Sequence, residues 1–539
     1  MLEEHTKNYN VVIIGAGISG LTSAALLSKA GLNVCVIELN AKPGGYLAKY
    51  EKKGFVFDTA IHWLNHCGPD GIVNKVFSLI GPDFPRAKPQ KRIKRFIGKE
   101  FNYLLTDNPD ELKKQLIDDF QSEKKGIEDF FNAAKKMSPQ FNNFHKLFRT
   151  AETLTFSEKV KLIYTKIKFA LPFIKYIRFT GEKGKKKGLN KFFKSRVLHE
   201  VFSNEPDILS CLIPIAWAYN KDFQSPPKSG SQSYAQWTAN EAEKYGCDFF
   251  YNSKAKKITQ ENGKCKSVIY EHKNHEYEVF CEQIISTCDI RSLYEEIMPG
   301  QYTPKKTLKK LKEAELYSSA LIVNASLDCP AENLGFGEEI IALNKYELDK
   351  IENSEQEINI EQLSIFSQSA RNKTLAPEGR GTLTFIMPAY FTNHNNWKTT
   401  TDSNNNLIRG KDYSALKTLY AEKIIKIAEE ELSKNILSHI TEYNVITPIT
   451  FWRYTKNYHG SMMGQKPGKK NSMLGVAKYK TPLKGLYISG HWAELGGGVP
   501  IAIKTAYNST LMILKERKHK FFKLYVDELK KKNNIKPKT

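Results

Sequence analysis

The spacing of apolar residues changes several times along this chain, and each change predicts an element. Val11-Val12-Ile13-Ile14 is an unbroken β-branched run, the pattern of a strand buried on both faces of a parallel sheet. Leu21 to Ala30 (LTSAALLSKA) reads as a helix that Gly31 ends, and Asn33 to Leu39 (NVCVIEL) as a second strand. A complete βαβ unit fits into these opening residues. Further on, Asp110 to Lys136 holds helix-like stretches, Ser318 to Ser326 is strand-like, Thr399 to Asn406 is polar and Asn-rich, and Tyr413 to Leu432 is helical. Leu486 to Ser489 predicts a strand, and Val499 to Leu514 an apolar helix with Pro500 in its first turn.

Phe156 to Phe193 follows another pattern. Large apolar residues alternate with lysines in LIYTKIKFALPFIKYIRF, then GEKGKKKG follows, and Pro172 is expected to break or kink the helix. The segment is too charged to span a bilayer. It fits a helix lying in the membrane interface, apolar side chains in the acyl boundary and lysines at the headgroups. An amphipathic core helix followed by a solvated basic loop fits the same periodicity.

Composition narrows the classes. The 539 residues allow about three domains, or two with large insertions. Hydrophobic residues at 41% exclude general disorder. Lys and Arg outnumber Asp and Glu by 81 to 58, a net charge of +23 that favours an anionic partner surface. No zinc-finger, RRM or KH pattern accompanies it, so a lipid surface is expected and nucleic acid is not. The eight cysteines show no C-x-x-C pair, which argues against a disulfide scaffold or a metal site and for a reducing compartment. The opening MLEEHTKNYN is polar and acidic, unlike a secretory leader, and no apolar run is long enough to span a membrane. The expected location is cytoplasmic and peripheral to a membrane.

The strongest chemical signal lies in Gly15-Ala16-Gly17-Ile18-Ser19-Gly20, set between the first strand and the first helix. Gly15 permits the tight turn, Gly17 lets backbone approach a pyrophosphate, and Gly20 lets helix and strand pack closely. The helix start offers free N–H groups and a positive dipole end. Glu38, 18 residues past Gly20, is placed to accept hydrogen bonds from ribose hydroxyls. Lys42-Pro43-Gly44-Gly45 follows, where a glycine pair removes side chains from the path of a bulky planar cofactor. A second dinucleotide fingerprint does not occur, which suits one tightly held FAD. Near the other end, Gly496-Gly497-Gly498 precedes the helix containing Val499 and Pro500, whose N-terminus would stabilise negative charge on a reduced flavin.

On these residues the chain resembles the phytoene desaturase, carotenoid isomerase and retinol saturase family of FAD enzymes, within the amine-oxidase-like flavoproteins. The resemblance rests on Gly15 to Leu64, Pro226 to Ile258 with Ile284 to Tyr294, Phe366 to Phe385, Thr447 to Gly464, and Gly485 to Ala506. It implies an α/β fold: a Rossmann-like FAD-binding domain of the amine-oxidase/glutathione-reductase type, a discontinuous α+β substrate domain, and a helical, membrane-facing insert. The expected boundaries are 1–75, 226–290 and 456–515 for the FAD-binding domain, 76–225 for the helical insert and part of the substrate domain, 291–455 for the rest of it, and 516–539 for a basic tail. The cofactor residues carried over are Gly15, Ala16, Gly17, Ile18, Ser19, Gly20, Glu38, Leu39, Lys42, Gly44, Gly45, Tyr46, Gly490, Gly497, Gly498, Val499 and Pro500, with Ala255 where the family usually has a valine against the adenine. Many members carry an acid directly after Gly490, whereas this chain has His491.

The resemblance further implies desaturation, saturation or cis–trans isomerisation of C=C bonds in a long apolar polyene. His62, Trp63, His491 and Glu494 are the catalytic candidates, Glu494 as a proton donor if burial raises its pKa. Arg453 and Tyr454 are expected near the pocket, Cys67 in a structural role, and Asp58 and Asp289 at turns or helix starts. Two alternatives share the fold: an FAD amine oxidase, and a lipid carrier that binds no flavin.

Overall fold

The computed structural model describes residues 2–4, 7–142, 148–179, 181–202, 205–343, 362–403, 407–432 and 434–530. The end of the expected basic tail and Asn404 to Asn406 lie outside the described residues. Strand β1 (Tyr9–Ile14) leads through the glycine turn into helix α1 (Ile18–Lys29) and on to β2 (Val34–Ile37). Chain segments far apart complete the sheet. Helix α8 (Gln232–Lys244) leads to β7 (Asp248–Phe250), and the meander β8 (Ser253–Glu261), β9 (Lys264–His272) and β10 (His275–Ser286) follows. The last half of β10 runs parallel to β1, and β16 (Leu486–Ile488) parallel to β10 on its far side. The parallel order is therefore β7-β2-β1-β10-β16. The Val11 to Ile14 run is wholly buried, as expected for a central strand covered on both faces.

Helix α1 is buried on almost every side because it packs against both α8 and the C-terminal helix α11 (Val499–Glu516). Its small residues Gly20, Ala24 and Ala25 permit that approach. Helix α12 (Phe521–Lys530) follows. Its Tyr525 is buried, and the hydroxyl donates 2.8 Å to Leu26 O on α1. The reading of residues 516–539 as a tail thus needs correction: α12 belongs to the core, because Tyr525 and Val526 interrupt its lysines at buried positions.

A seven-stranded sheet forms the second layer, in the order β15 (Ile440–Ile446), β11 (Ser319–Leu327), β14 (Gly381–Ala389), β13 (Ser364–Phe366), β12 (Ile340–Leu343), β5 (Arg92–Gly98) and β6 (Phe101–Thr106). The hairpin β3 (Lys49–Lys52) and β4 (Phe55–Asp58) leads toward it from the nucleotide-binding end. Helix α9 (Lys411–Leu432) buries Tyr420, Ile424 and Ile425 in the core of this sheet. A separate apolar cluster joins α3 (Pro109–Asp119), α4 (Lys124–Asn142), α5 (Phe156–Ile177), α6 (Gly181–Leu189) and α7 (Ile208–Tyr219).

Two expectations in this insert change. Helix α5 runs through Pro172 without ending there, held at its start by a capping box between Thr155 and Glu158. The stretch GEKGKKKG is helical in α6 rather than a loop, and Lys185 is buried.

Candidate functional site

The N-terminal turn is shaped by close backbone approach. A Cβ on Gly20 would stand 2.0 Å from Gly15 O, so only glycine lets α1 start where it does. Gly17 is the opposite case: it caps α1, and a Cβ there would meet nothing within 4 Å. The free space lies at the end of α1 where unpaired N–H groups and the positive dipole end are found. Gly44 closes one wall, its N–H donating 2.8 Å to Ala16 O, and a Cβ on Gly45 would stand 3.3 Å from Gly17 Cα. Lys42 is exposed beside them.

Glu38 directly follows β2, and its side chain is buried. It accepts from Ala16 N at 2.6 Å and from Asn40 N and Nδ2 at 2.8 Å each. Burial pushes its pKa up, and these three donors oppose the rise. A carboxylate offers about four acceptor positions, so one remains for a ribose hydroxyl. Ser253 N donates 2.8 Å to Glu38 O, which brings Ala255 on β8 to the same end of the site. Half-buried Leu39 lies there too. Tyr46, after the glycine pair, donates to Ser461 O at 2.5 Å, and burial raises its phenol to about 12.

The C-terminal half is brought against this turn by β16. Ser489 Oγ and Ser19 Oγ lie 2.8 Å apart, joining the strand end to the start of α1, and Gly490 packs beside Ser19. Ile18 and Ala16 are buried in the same contact region. Gly496 N donates 2.9 Å to Gln465 O, Gly497 lies against Met463, and Gly498 caps α11, with Val499 and Pro500 in its first turn. Both polar atoms of the Gln465 side chain and Trp492 Nε1 are buried without a partner among the described residues. Free space before α1, a carboxylate with an acceptor position left and orphaned polar atoms beside the glycine run together fit a dinucleotide with a polar ring system. Sequence reasoning missed Gln465, Asn40 and Ser489, since polar residues in loops carry no periodic signal.

The four catalytic candidates do not meet at one point. Half-buried His491 packs against Trp492, ring centroids 4.9 Å apart, and desolvation lowers its pKa to about 4, so the imidazole is neutral. Glu494 accepts 2.6 Å from Tyr479 OH and 2.7 Å from Lys504 Nζ. Glu494, expected as a proton donor, thus has both carboxylate oxygens engaged, by a phenol and a cation, and ties this loop to α11. Trp63 packs at a tilt against Trp217 and Phe223, centroids 5.5 Å apart in each pair, and joins the insert to the segment that follows β4. His62 lies under Phe366 and Arg371 in a small separate cavity. Tyr454 O accepts 2.9 Å from Asn40 Nδ2, near Glu38, and Arg453 Nη2 donates 2.6 Å to Tyr454 OH. Cys67 is buried, with its pKa raised by burial. All eight cysteines are free thiols. Asp289 caps the short helix that follows β10 and also accepts from Tyr458 N. Asp328, Cys329 and His439 cluster at the edge of the second sheet, where a 2.8 Å His439–Asp328 hydrogen bond ties two strand ends.

Asp58 is also a helix-start residue, acting across the chain. Its Oδ1 accepts from Ser231 N at 2.8 Å and Ser231 Oγ at 2.7 Å, at the start of α8. Burial raises its pKa to about 6. A raised carboxyl pKa stabilises the fold below the unfolded value, and this is lost as pH rises through about 6. Asp58→Asn keeps an acceptor for both donors and removes the charge. It is therefore expected to gain up to about 3 kcal/mol over wild type at neutral pH and to flatten the loss of stability between about pH 4 and 6, read by denaturant unfolding across pH.

The two halves define an α/β dinucleotide fold of the amine-oxidase type: cyclohexylamine oxidase from Brevibacterium oxydans IH-35A superposes with a TM-score of 0.56 over 95% of this chain and 100% of its own, at 11% identity. A family model described as an NAD(P)-binding Rossmann-like domain matches residues 13–78. Among individual proteins, the chain is 22% identical to prolycopene isomerase of Daucus carota, over 92% of this chain and 78% of that protein. It is 23% identical to all-trans-retinol 13,14-reductase of Danio rerio (91% and 84%) and 20% identical to the lycopene-forming phytoene desaturase of Pantoea ananas (94% and 99%). The resemblance drawn from the motifs therefore extends over nine-tenths of the chain.

Proposed function

We propose that this protein is an FAD-dependent oxidoreductase acting on C=C bonds of a long apolar polyene, by desaturation, saturation or isomerisation. The observation that carries the reading is the joining of the phosphate-binding turn to the glycine run through Ser19 and Ser489, with open space before α1. Gly17 and the N–H groups of α1 would hold the pyrophosphate, Glu38 the ribose, Ala255 the adenine end, and Gly498 with the start of α11 the ring system. FAD, when bound, supplies the hydride chemistry. The chain supplies position and dryness, and neutral His491 provides an uncharged neighbour in that region. The proposed division follows the boundaries given above, with α12 added to the FAD-binding domain. The likeness to amine oxidases is one of fold, and the intact glycine turn favours an enzyme over a flavin-free carrier. The test is the absorption spectrum of the purified protein together with mass analysis of lipid that co-purifies. A yellow protein with bound polyene is expected, and a colourless one that refuses FAD would refute the reading.

The same reading includes a peripheral membrane partner with anionic headgroups. Helix α5 turns Leu162, Phe173 and Tyr176 inward. Its opposite face exposes Phe156 (85%), Val160, Ile163, Tyr164 (67%), Ile167, Leu171 and Ile174, at spacings of three and four residues. Lys159 and Lys166 flank this stripe on one side, Lys161, Lys168 and Lys175 on the other, and the helix's acid, Glu158, pairs with Arg149. Each basic residue at an anionic surface contributes about 1 kcal/mol. No helix among the described residues is long and apolar enough to cross a membrane. The protein is expected to float with anionic vesicles, and Ile163→Glu with Ile167→Glu to abolish flotation. Unchanged flotation of that variant would sink the assignment.

A further inference from the structure

His62, Ser225, Phe366 and Arg371 line a small cavity closed on its apolar side by Ile61 and Pro226. Three of the segments that carry the family resemblance converge there, bringing residues 309 apart into contact. Arg371 is buried, yet it makes no bond to a carboxylate. Its Nε donates 2.7 Å to Glu338 O, and its Nη1 donates to His62 O. Its Nη2 is buried and without a partner among the described residues. The two nearest acids are already engaged. Glu339 takes Arg92 and Arg95 at 2.8 Å, and Glu338 takes the Lys91 and Arg92 backbone N–H groups. Neither acid therefore gives Arg371 a side-chain bond, although both attract its charge.

His62 adds a second orphan. Both ring nitrogens are buried and unpartnered among the described residues. Its ring lies 4.8 Å from the Phe366 centroid, and the Arg371 guanidinium lies 4.9 Å from the same centroid. Burial and the Arg371 charge hold the imidazole neutral, with a pKa lowered to about 3, so it offers one N–H and one acceptor. Asp58 also borders the cavity, but its Oδ1 is occupied by Ser231. A buried N–H without an acceptor is costly, and more so on a charged group. The ligand that removes both costs is an anionic oxygen group small enough for the cavity, on a body that tolerates the apolar wall.

We propose that this cavity receives the carboxylate end of an apolar chain, accepting from Arg371 Nη2 and from a His62 N–H. The inference rests on the lipid reading above and sharpens it: the substrate class becomes acid-terminated polyenes. The test is a fluorescence titration of the full-length protein with a conjugated tetraenoic fatty acid and with its methyl ester. The acid is expected to bind at least roughly tenfold tighter than the ester. Arg371→Met should erase that preference, Arg371→Lys should retain part of it, and His62→Phe should reduce it. Circular dichroism and thermal unfolding report folding of each variant. Equal binding of acid and ester by wild type, or a preference that survives both Arg371→Met and His62→Phe, overturns the proposal. Displacement of the fatty acid by acetate at equal concentration overturns the chain-bound form, because a free small carboxylate would then suffice. The yellow spectrum and hydrocarbon turnover are read on the same preparation. If they are absent while the acid preference stands, the oxidoreductase reading fails and this one holds.

Discussion

Gly17→Ala is expected to leave a folded protein that no longer retains the dinucleotide, whereas Gly20→Ala loses the fold of the turn itself. The two differ by one methyl group in different surroundings. At Gly20 the methyl carbon would stand 2.0 Å from Gly15 O in the sheet-to-helix connection and 3.3 Å from the Ile13 side chain on β1. The Gly15 backbone cannot yield without moving α1 off the sheet. Several kcal/mol of stability should go, as in overpacked cores, and cofactor binding with it. At Gly17 the methyl enters empty space, and a φ of −68° suits alanine. The cost to the apoprotein is under about 1 kcal/mol, from the poorer helix cap. The methyl occupies the path along which a pyrophosphate approaches the helix N-terminus, so FAD retention should fall by at least roughly tenfold. Thermal unfolding of the apoproteins and flavin absorbance after gel filtration check both. Full flavin retention by Gly17→Ala would place the cofactor elsewhere.

Lys504→Met is expected to be the most damaging change at the C-terminal loop, and Glu494→Gln to restore much of what it loses. Lys504 Nζ lies 2.7 Å from Glu494 Oε2, with side chains 9% and 23% exposed. Removing the lysine leaves a mostly buried carboxylate with Tyr479 as its remaining donor. For a partly exposed pair the cost should be about 2–3 kcal/mol, below the range for fully buried pairs. In the double variant the amide still accepts from Tyr479 and no charge is stranded. A double-mutant cycle in denaturant should therefore show strong positive coupling. The same variants decide the role of Glu494. A proton donor would lose roughly 10²–10⁴ in turnover when changed to Gln. A tie would lose turnover only in proportion to FAD content.

The opening βαβ unit was legible because everything that specifies it lies within one window. A β-branched run, three glycines at fixed offsets and an acid at a strand end each act on near neighbours. The structure differs there by a few residues at most: α1 begins at Ile18 and β2 ends at Ile37, directly before Glu38. Helix α5 was legible as an amphipathic segment, but its direction was not. The 3.6-residue period is the same whether the apolar stripe faces a core or the outside. Packing of Phe173 and Tyr176 against the insert decides which face is left over. Lys185 shows the converse, since a basic run carries no mark of which lysine the fold will bury.

From sequence alone came the dinucleotide-type βαβ unit, a product of local periodicity and turn chemistry, and the polyene-enzyme resemblance, which rests on matching motifs. Tertiary structure alone settled the partnerships. Glu494 meets Lys504, Tyr525 reaches back to Leu26, and Arg371 meets His62 across 309 residues with one guanidinium nitrogen left without a partner among the described residues. The physical reason is that a side chain's charge state and role depend on what desolvates it and what bonds to it. Those neighbours are assembled by sheet order and helix packing, not by distance along the chain.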